Sequence, residues 1–224
     1  MTNMNKTDLQ LKQDIEDELR WDPRINAAQI GVSVDQGAVS LLGAVDTYAE
    51  KRAAEDATKR VIGVRAVAQD LTVTILNDHL HTDSDIAAAT LSALKWDVWV
   101  PKSVTAKVQR GEITLEGHVT WNYQRDAAER AVRYLMGVVA VHNCINLEHE
   151  PSVSTVQVKE KIEAALQRQA MADGKSIHVE TSGGKVTLTG HASSWQSIED
   201  AANAAWAAPG VTEVVDQVKH QMML

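Results

Sequence analysis

The apolar positions of this chain switch repeatedly between two periods. Leu11, Ile15 and Leu19 recur every four residues, the single stripe of an amphipathic helix over residues 7–20. Thr7 and Gln10 supply a capping-box pattern at its start, and Pro23 enforces a stop soon after Trp21. The period then drops to two: Ile30, Val32 and Val34 alternate with polar residues, Asp35-Gln36-Gly37 reads as a tight turn, and Val39, Leu41, Gly43 and Val45 form the return strand of a hairpin. A second helix follows over 48–61, with the small residues Ala54 and Ala57 on its inner face. Gly63 ends it, and Val64, Val67, Leu71 and Val73 make a last strand whose alternation slips around Ala68–Asp70, suggesting a bulge.

The same order returns twice. Gly37, Gly111 and Gly184 are separated by 74 and 73 residues, and Gly43, Gly117, Gly190 and Gly63, Gly137, Gly210 keep those separations. Repeat two places helices over 84–96 and along Ala128, Ala131 and Leu135, with strands at Val104–Val108 and Ile113–Val119. Repeat three opens on a Ser154–Gln157 capping pair, runs a helix through Val158, Ile162 and Leu166, strands through Ile177–Val179 and Val186–Ala192, a second helix along Ala201, Ala204 and Ala208, and a strand through Val211, Val214 and Val218. The predicted fold class is therefore α+β: three tandem α-β-β-α-β two-layer domains at 1–76, 77–150 and 151–224, each a three-stranded mixed sheet with two helices on one face. Units this small have marginal cores, so packing between them or self-association is expected.

Charge narrows the partners. Repeats one, two and three carry 9, 7 and 6 basic against 12, 10 and 8 acidic residues. No repeat has the basic footprint of a nucleic-acid binder, and the acidity opposes simple electrostatic adhesion to anionic lipid. The first residues lack the apolar stretch of a secretory signal and no run approaches a membrane span, so a cytoplasmic location is expected. Cys144, the single cysteine, sits among Val141, Ile145 and Leu147 and reads as a buried small side chain.

Chemistry-bearing patterns are few. No nucleophile elbow, metalloprotease or dinucleotide motif is present, so no enzyme and no cofactor is expected. Gly183-Gly184-Lys185 lacks the spacing of a phosphate loop and reads as a hairpin turn. His118 and His191 match in register but repeat one has Ala44 there, which favours surface strand residues over metal ligands. His79 and His81, beside Asp78 and Asp83, offer a weak divalent-ion site in a linker that otherwise reads as solvated. A cleft between domains is a further place for a small ligand. On the outer sheet face, repeats two and three show polar residues, whereas repeat one shows Ser40, Leu42 and Ala44, a face that reads as covered by another repeat or another chain.

The aromatic residues carry more information: there are six Trp, three Tyr and no Phe. Trp21 and Trp96 sit just after the first helices and read as caps on small cores; Trp96 also opens the WDVWV segment with Trp99. Trp121 and Trp195 lie one position apart in register between strand two and helix two, near the place of Tyr48, and Trp206 falls inside the third second helix. Trp96, Trp99, Trp121 and Trp195 are the candidate surface and partner-binding residues, since tryptophan favours hot spots and membrane interfaces.

The copies GAVSLLG with GVRAV, GEITLEG with GVVAV and GKVTLTG with GVTEV resemble the BON domain (bacterial OsmY and nodulation), and repeat two is similar to OsmY-like members. That resemblance implies tandem α-β-β-α-β domains, a stress-associated binding protein without catalytic motifs, and a phospholipid or membrane surface as partner. A protein partner or homo-oligomer is the alternative reading.

Overall fold

A computed structural model describes residues 6–75, 81–148, 155–168, 176–192 and 194–220, with the side chains of 155–157 and 220 left aside. Domain 1 runs α1 (Asp8–Trp21), β1 (Ile30–Asp35), β2 (Ala38–Val45), α2 (Tyr48–Arg60) and β3 (Ala66–Val73). Domain 2 runs α3 (Asp83–Trp96), β4 (Thr105–Gln109), β5 (Glu112–Glu116), β6 (His118–Val119), α4 (Asn122–Val132), β7 (Ala140–Asn143) and β8 (Asn146–Leu147). Domain 3 runs α5 (Thr155–Arg168), β9 (Ile177–Ser182), β10 (Lys185–Ala192), α6 (Trp195–Trp206) and β11 (Glu213–His220).

Each sheet has the hairpin's second strand at its centre. β2 pairs antiparallel with β1 and parallel with β3; β5 stands likewise between β4 and β7, and β10 between β9 and β11. The helices lie over the buried face. In domain 1, Leu11, Ile15 and Leu19 of α1 and Ala54 and Ala57 of α2 close on Val39, Leu41 and Val45. The alanines give α2 a flat inner side, so its axis approaches the sheet closely. The glycine column explains itself here: Gly43, Gly117 and Gly190 all have positive φ, and a Cβ on any of them would collide with the carbonyl of Gln29, Ser103 or Ser176 at the start of the neighbouring strand.

Several sequence expectations change. β3 has no bulge: it stays in unbroken parallel register with β2, and Gln69 takes an inward position because its amide donates to Lys51 O on α2. The interrupted strands are in domain 2, where the second strand is split into β5 and β6 at Gly117 and the last into β7 and β8 around Cys144 and Ile145. Cys144 is exposed, not buried, because Val141, Asn143 and Ile145 take the inward phase of that strand. α4 ends at Val132, so Leu135 packs from the turn beyond it. The Ser154–Gln157 capping pair and His79 lie outside the described residues, whereas the Thr7 capping box forms as expected.

The domains meet through their second helices. Tyr48, the first residue of α2, is buried with the core of domain 2, its hydroxyl beside the Val141 backbone. Arg125 of α4 stacks on the ring of Trp206 of α6, 5.1 Å from its centroid. Trp195, the first residue of α6, donates its indole N–H to Val64 O in domain 1. Domain 1 thus reaches domain 2, domain 2 reaches domain 3, and domain 3 returns to domain 1, closing a ring.

Candidate functional site

The most exposed apolar group lies in domain 2 where α3 ends. Asp97 caps that helix, its N–H donating to Ala93 O, and its carboxylate Oδ1 accepts from Trp99 N at 2.8 Å while its carbonyl accepts from Val100 N at 3.2 Å. This pinned turn leaves Trp96 and Val98 each 85% exposed and Trp99 56% exposed, with the exposed Lys95 and Lys102 on either side. The reading of Trp21 and Trp96 as core caps does not hold. Trp21 is 84% exposed, and each tryptophan lies two residues past the last buried leucine, Leu19 or Leu94. Two residues turn a helix by about 200°, which places the ring opposite the buried stripe.

Trp99 meets Tyr123 edge to face at 5.6 Å and an interplanar angle of 87°. Tyr123 leads from the turn to a cavity of about 580 Å³ between domains 2 and 3, lined by Trp121, Asn122, Tyr123, Asp126, Asn203 and Trp206. The start of α4 differs from its two counterparts. Thr47 caps α2 by accepting from Glu50 N, Ser194 caps α6 by accepting from Ser197 N, and an aromatic residue, Tyr48 or Trp195, follows each cap. Domain 2 reverses the pair: Trp121 occupies the cap position and Asn122 the first helical one. The Gln124 side chain compensates in part, its Oε1 accepting from the backbone N–H groups of Thr120 and Trp121. A lost side-chain cap costs about 1 kcal/mol, and here it places an indole at the cavity.

Asn122 is only 5% exposed. Its amide nitrogen donates to Asp126 Oδ2 at 2.8 Å, and its carbonyl Oδ1 has no partner. Burial pushes the Asp126 carboxyl above the usual range, against the opposing pull of Arg125. Among the described residues no cation stands within ion-pair distance of it.

The other candidates are placed as follows. Trp195 is half-buried and its N–H is spent on Val64 O, so it joins domains. Trp121 is half-buried at the cavity, apart from Trp195. Leu42 is 48% exposed with Ser40 and Ala44 half-buried beside it, and among the described residues no other repeat covers Leu42. His118 and His191 are exposed on their strands; His118 Nδ1 lies 3.9 Å from Glu148 Oε1. His81 is exposed, and among the described residues no three His, Cys, Asp or Glu side chains converge as metal ligands. A larger cleft of about 740 Å³ opens where α2, α6 and Arg133 meet, but its cations are largely engaged: Arg52 and Lys59 share Glu55, and Arg60 reaches Glu18. Among the described residues no helix is long and apolar enough to cross a membrane.

Sequence reading did not find Asn122, Tyr123 and Asp126. The signal available was the cap column, where Thr47 and Ser194 align with Trp121.

The geometry defines a tandem array of three two-layer modules, joined helix to helix and carrying an exposed aromatic turn on the middle one. The BON domain family model matches residues 7–75, 82–148 and 154–222, and the chain belongs to that family. A comparison with curated proteins found no match. Among solved structures the chain is similar to CdsD, a structural protein of the type III secretion system of Chlamydia trachomatis, at 14% identity and TM-score 0.28, covering 94% of this chain and 92% of that one. It is also similar to the periplasmic domain of the inner membrane protein PrgH from S. typhimurium, at 11% identity and TM-score 0.22, covering 92% and 100%. At these scores neither likeness bears on function.

Proposed function

We propose that this chain is a non-enzymatic binding protein that docks on phospholipid membrane surfaces through the turn Trp96–Val100 of its middle domain. One observation carries the reading: Trp96, Val98 and Trp99 stand out together on a turn that Asp97 holds rigid, flanked by Lys95 and Lys102. Indoles favour the membrane interface because the ring is apolar and the N–H polar. A formal charge of −8 makes attraction to anionic lipid a poor driving force, so insertion of the rings supplies the affinity, and zwitterionic surfaces suit the protein. Flotation with vesicles at low and moderate salt tests this. The protein is expected to rise with zwitterionic vesicles with little salt dependence; absence from every vesicle fraction, anionic or zwitterionic, overturns the reading.

A second reading, self-assembly or a protein partner, rests on the outer sheet face of domain 1. There Leu42 is flanked across the strands by Gly31 and Asp70, and Ser40 by Ser33 and Ala68, whereas Glu116 and Thr189 hold the place of Leu42 in domains 2 and 3. Light scattering tests the assembly form of this reading: a dimer dissociated by Leu42→Lys supports self-assembly, and a strict monomer removes it.

A further inference from the structure

The hairpin turns of the three domains share one backbone shape. Their central residues are Gln36-Gly37, Arg110-Gly111 and Gly183-Gly184, with φ of 49° and 81°, 54° and 75°, and 55° and 85°. The strand ladders end just outside each turn and leave both central N–H groups unused. In domains 1 and 2 the aspartate that opens the first helix takes both. Gln36 N and Gly37 N donate to Asp8 Oδ2 and Oδ1 at 2.9 and 3.2 Å. Arg110 N and Gly111 N donate to Asp83 Oδ2 and Oδ1 at 2.7 and 2.9 Å. Each carboxylate oxygen thus serves one N–H, and the bonds from Gly111 and Arg110 hold the Asp83 carboxyl below the usual carboxylate range.

Domain 3 breaks this pattern. Its first helix, α5, opens on Thr155 and has no acid in its first turn, so that helix brings no carboxylate to the hairpin. Among the described residues nothing accepts from Gly183 N or Gly184 N. Gly183 is exposed, and a Cβ built on it would meet no atom within 4 Å, so the turn is open to approach. Lys185 follows the turn where domains 1 and 2 have Ala38 and Glu112. It favours an anion there, while Glu213, 2.6 Å from its Nζ, opposes one. Two adjacent N–H groups of a left-handed turn attract an oxyanion, and the two filled turns show which kind fits: a carboxylate, one oxygen to each N–H. Two exposed hydrogen bonds hold a free small acid only weakly, so the occupant is carried by a larger chain whose other contacts add affinity. We propose that the Gly183-Gly184 turn of domain 3 docks an aspartate or glutamate side chain of a partner protein, in the place that Asp8 and Asp83 hold in the other domains. The site stands apart from both the Trp96–Val100 turn and the Leu42 face, and does not rest on either reading above.

The test uses the full chain, ¹⁵N-labelled, and reads the backbone amide resonances of Gly183 and Gly184. N-acetyl-aspartate N-methylamide is expected to shift both saturably. N-acetyl-asparagine N-methylamide, of the same shape without the charge, should bind about tenfold more weakly, because charge-assisted hydrogen bonds are lost. The amides of Gln36, Gly37, Arg110 and Gly111 should not respond, since Asp8 and Asp83 already accept from them. Thr155→Asp puts an acid where the other two domains have theirs and should abolish the response of Gly183 and Gly184. This variant is expected to fold, because aspartate opens both α1 and α3; a melting curve checks it, and the comparison of the two probes decides the matter without it. No saturable shift, equal binding of the asparagine probe, or an unchanged response in a folded Thr155→Asp overturns the site. Two further probes test the kind of occupant, and both should bind more weakly than the aspartate probe. Tighter binding of N-acetyl-alanine overturns the side-chain source in favour of the carboxylate at a chain end. Tighter binding of inorganic phosphate overturns the carboxylate in favour of a phosphate.

Discussion

Gly117 has a φ of +122°, and a Cβ there would run into Ser103 O. Gly117→Ala is therefore expected to destabilise the protein by at least about 2 kcal/mol, from left-handed strain and the forced displacement of a strand; thermal unfolding measures it. Asp22 shows a different constraint. The Arg24 guanidinium donates to both of its carboxylate oxygens and, despite opposing desolvation, lowers its pKa from 3.8 to about 2. A carboxyl depressed on folding stabilises above its unfolded pKa and loses that contribution as pH falls through the folded value. Stability from Asp22 is thus complete above pH 3.8 and disappears on acidification towards about 2. Asp22→Asn should flatten the acid limb of the stability–pH curve in that window, read by denaturant midpoints at stepped pH. The glycine positions were legible in the sequence because their spacing recurs. Cys144 was misread because its apolar neighbours Val141 and Ile145 are in phase with each other and not with it.

At the scale of elements, the helix stripes and hairpins followed directly from period four and period two, down to the Thr7 capping box. Trp21 and Trp96 were misplaced although helical phase was enough to put them opposite Leu19 and Leu94. The roles of Tyr48, Trp195 and Asn122 were not legible, because each depends on which helix of another domain faces it, and local pattern contains no such term. Tyr48 belongs to α2 but is buried with Ile86, Leu94 and Val132 of domain 2. Tyr48→Ala is expected to lower stability by about 3 kcal/mol, as truncation of a buried aromatic does. The loss should appear in the unfolding of domain 2 as well as domain 1, so hydrogen exchange of domain 2 amides, not of domain 1 alone, should accelerate. An effect confined to domain 1 would contradict the junction.

The whole molecule joins three copies of one module, and the proposed function rests on the differences between them. Domain 1 has the exposed Leu42 on its outer sheet, domain 3 lends Trp206 and the bridging Trp195, and domain 2 has both the exposed turn and the reversed helix start. Shared residues specify the fold; residues that break the repeat mark the surfaces. The central claim, that Trp96 and Trp99 enter the membrane interface, is tested most directly by tryptophan quenching with phosphatidylcholine brominated near the headgroup end of the acyl chain. The account predicts strong quenching of the wild type. In Trp96→Phe/Trp99→Phe, vesicles should still be bound while most of the quenching is lost. Absence of quenching in the wild type, or quenching unchanged in the double variant, would contradict it.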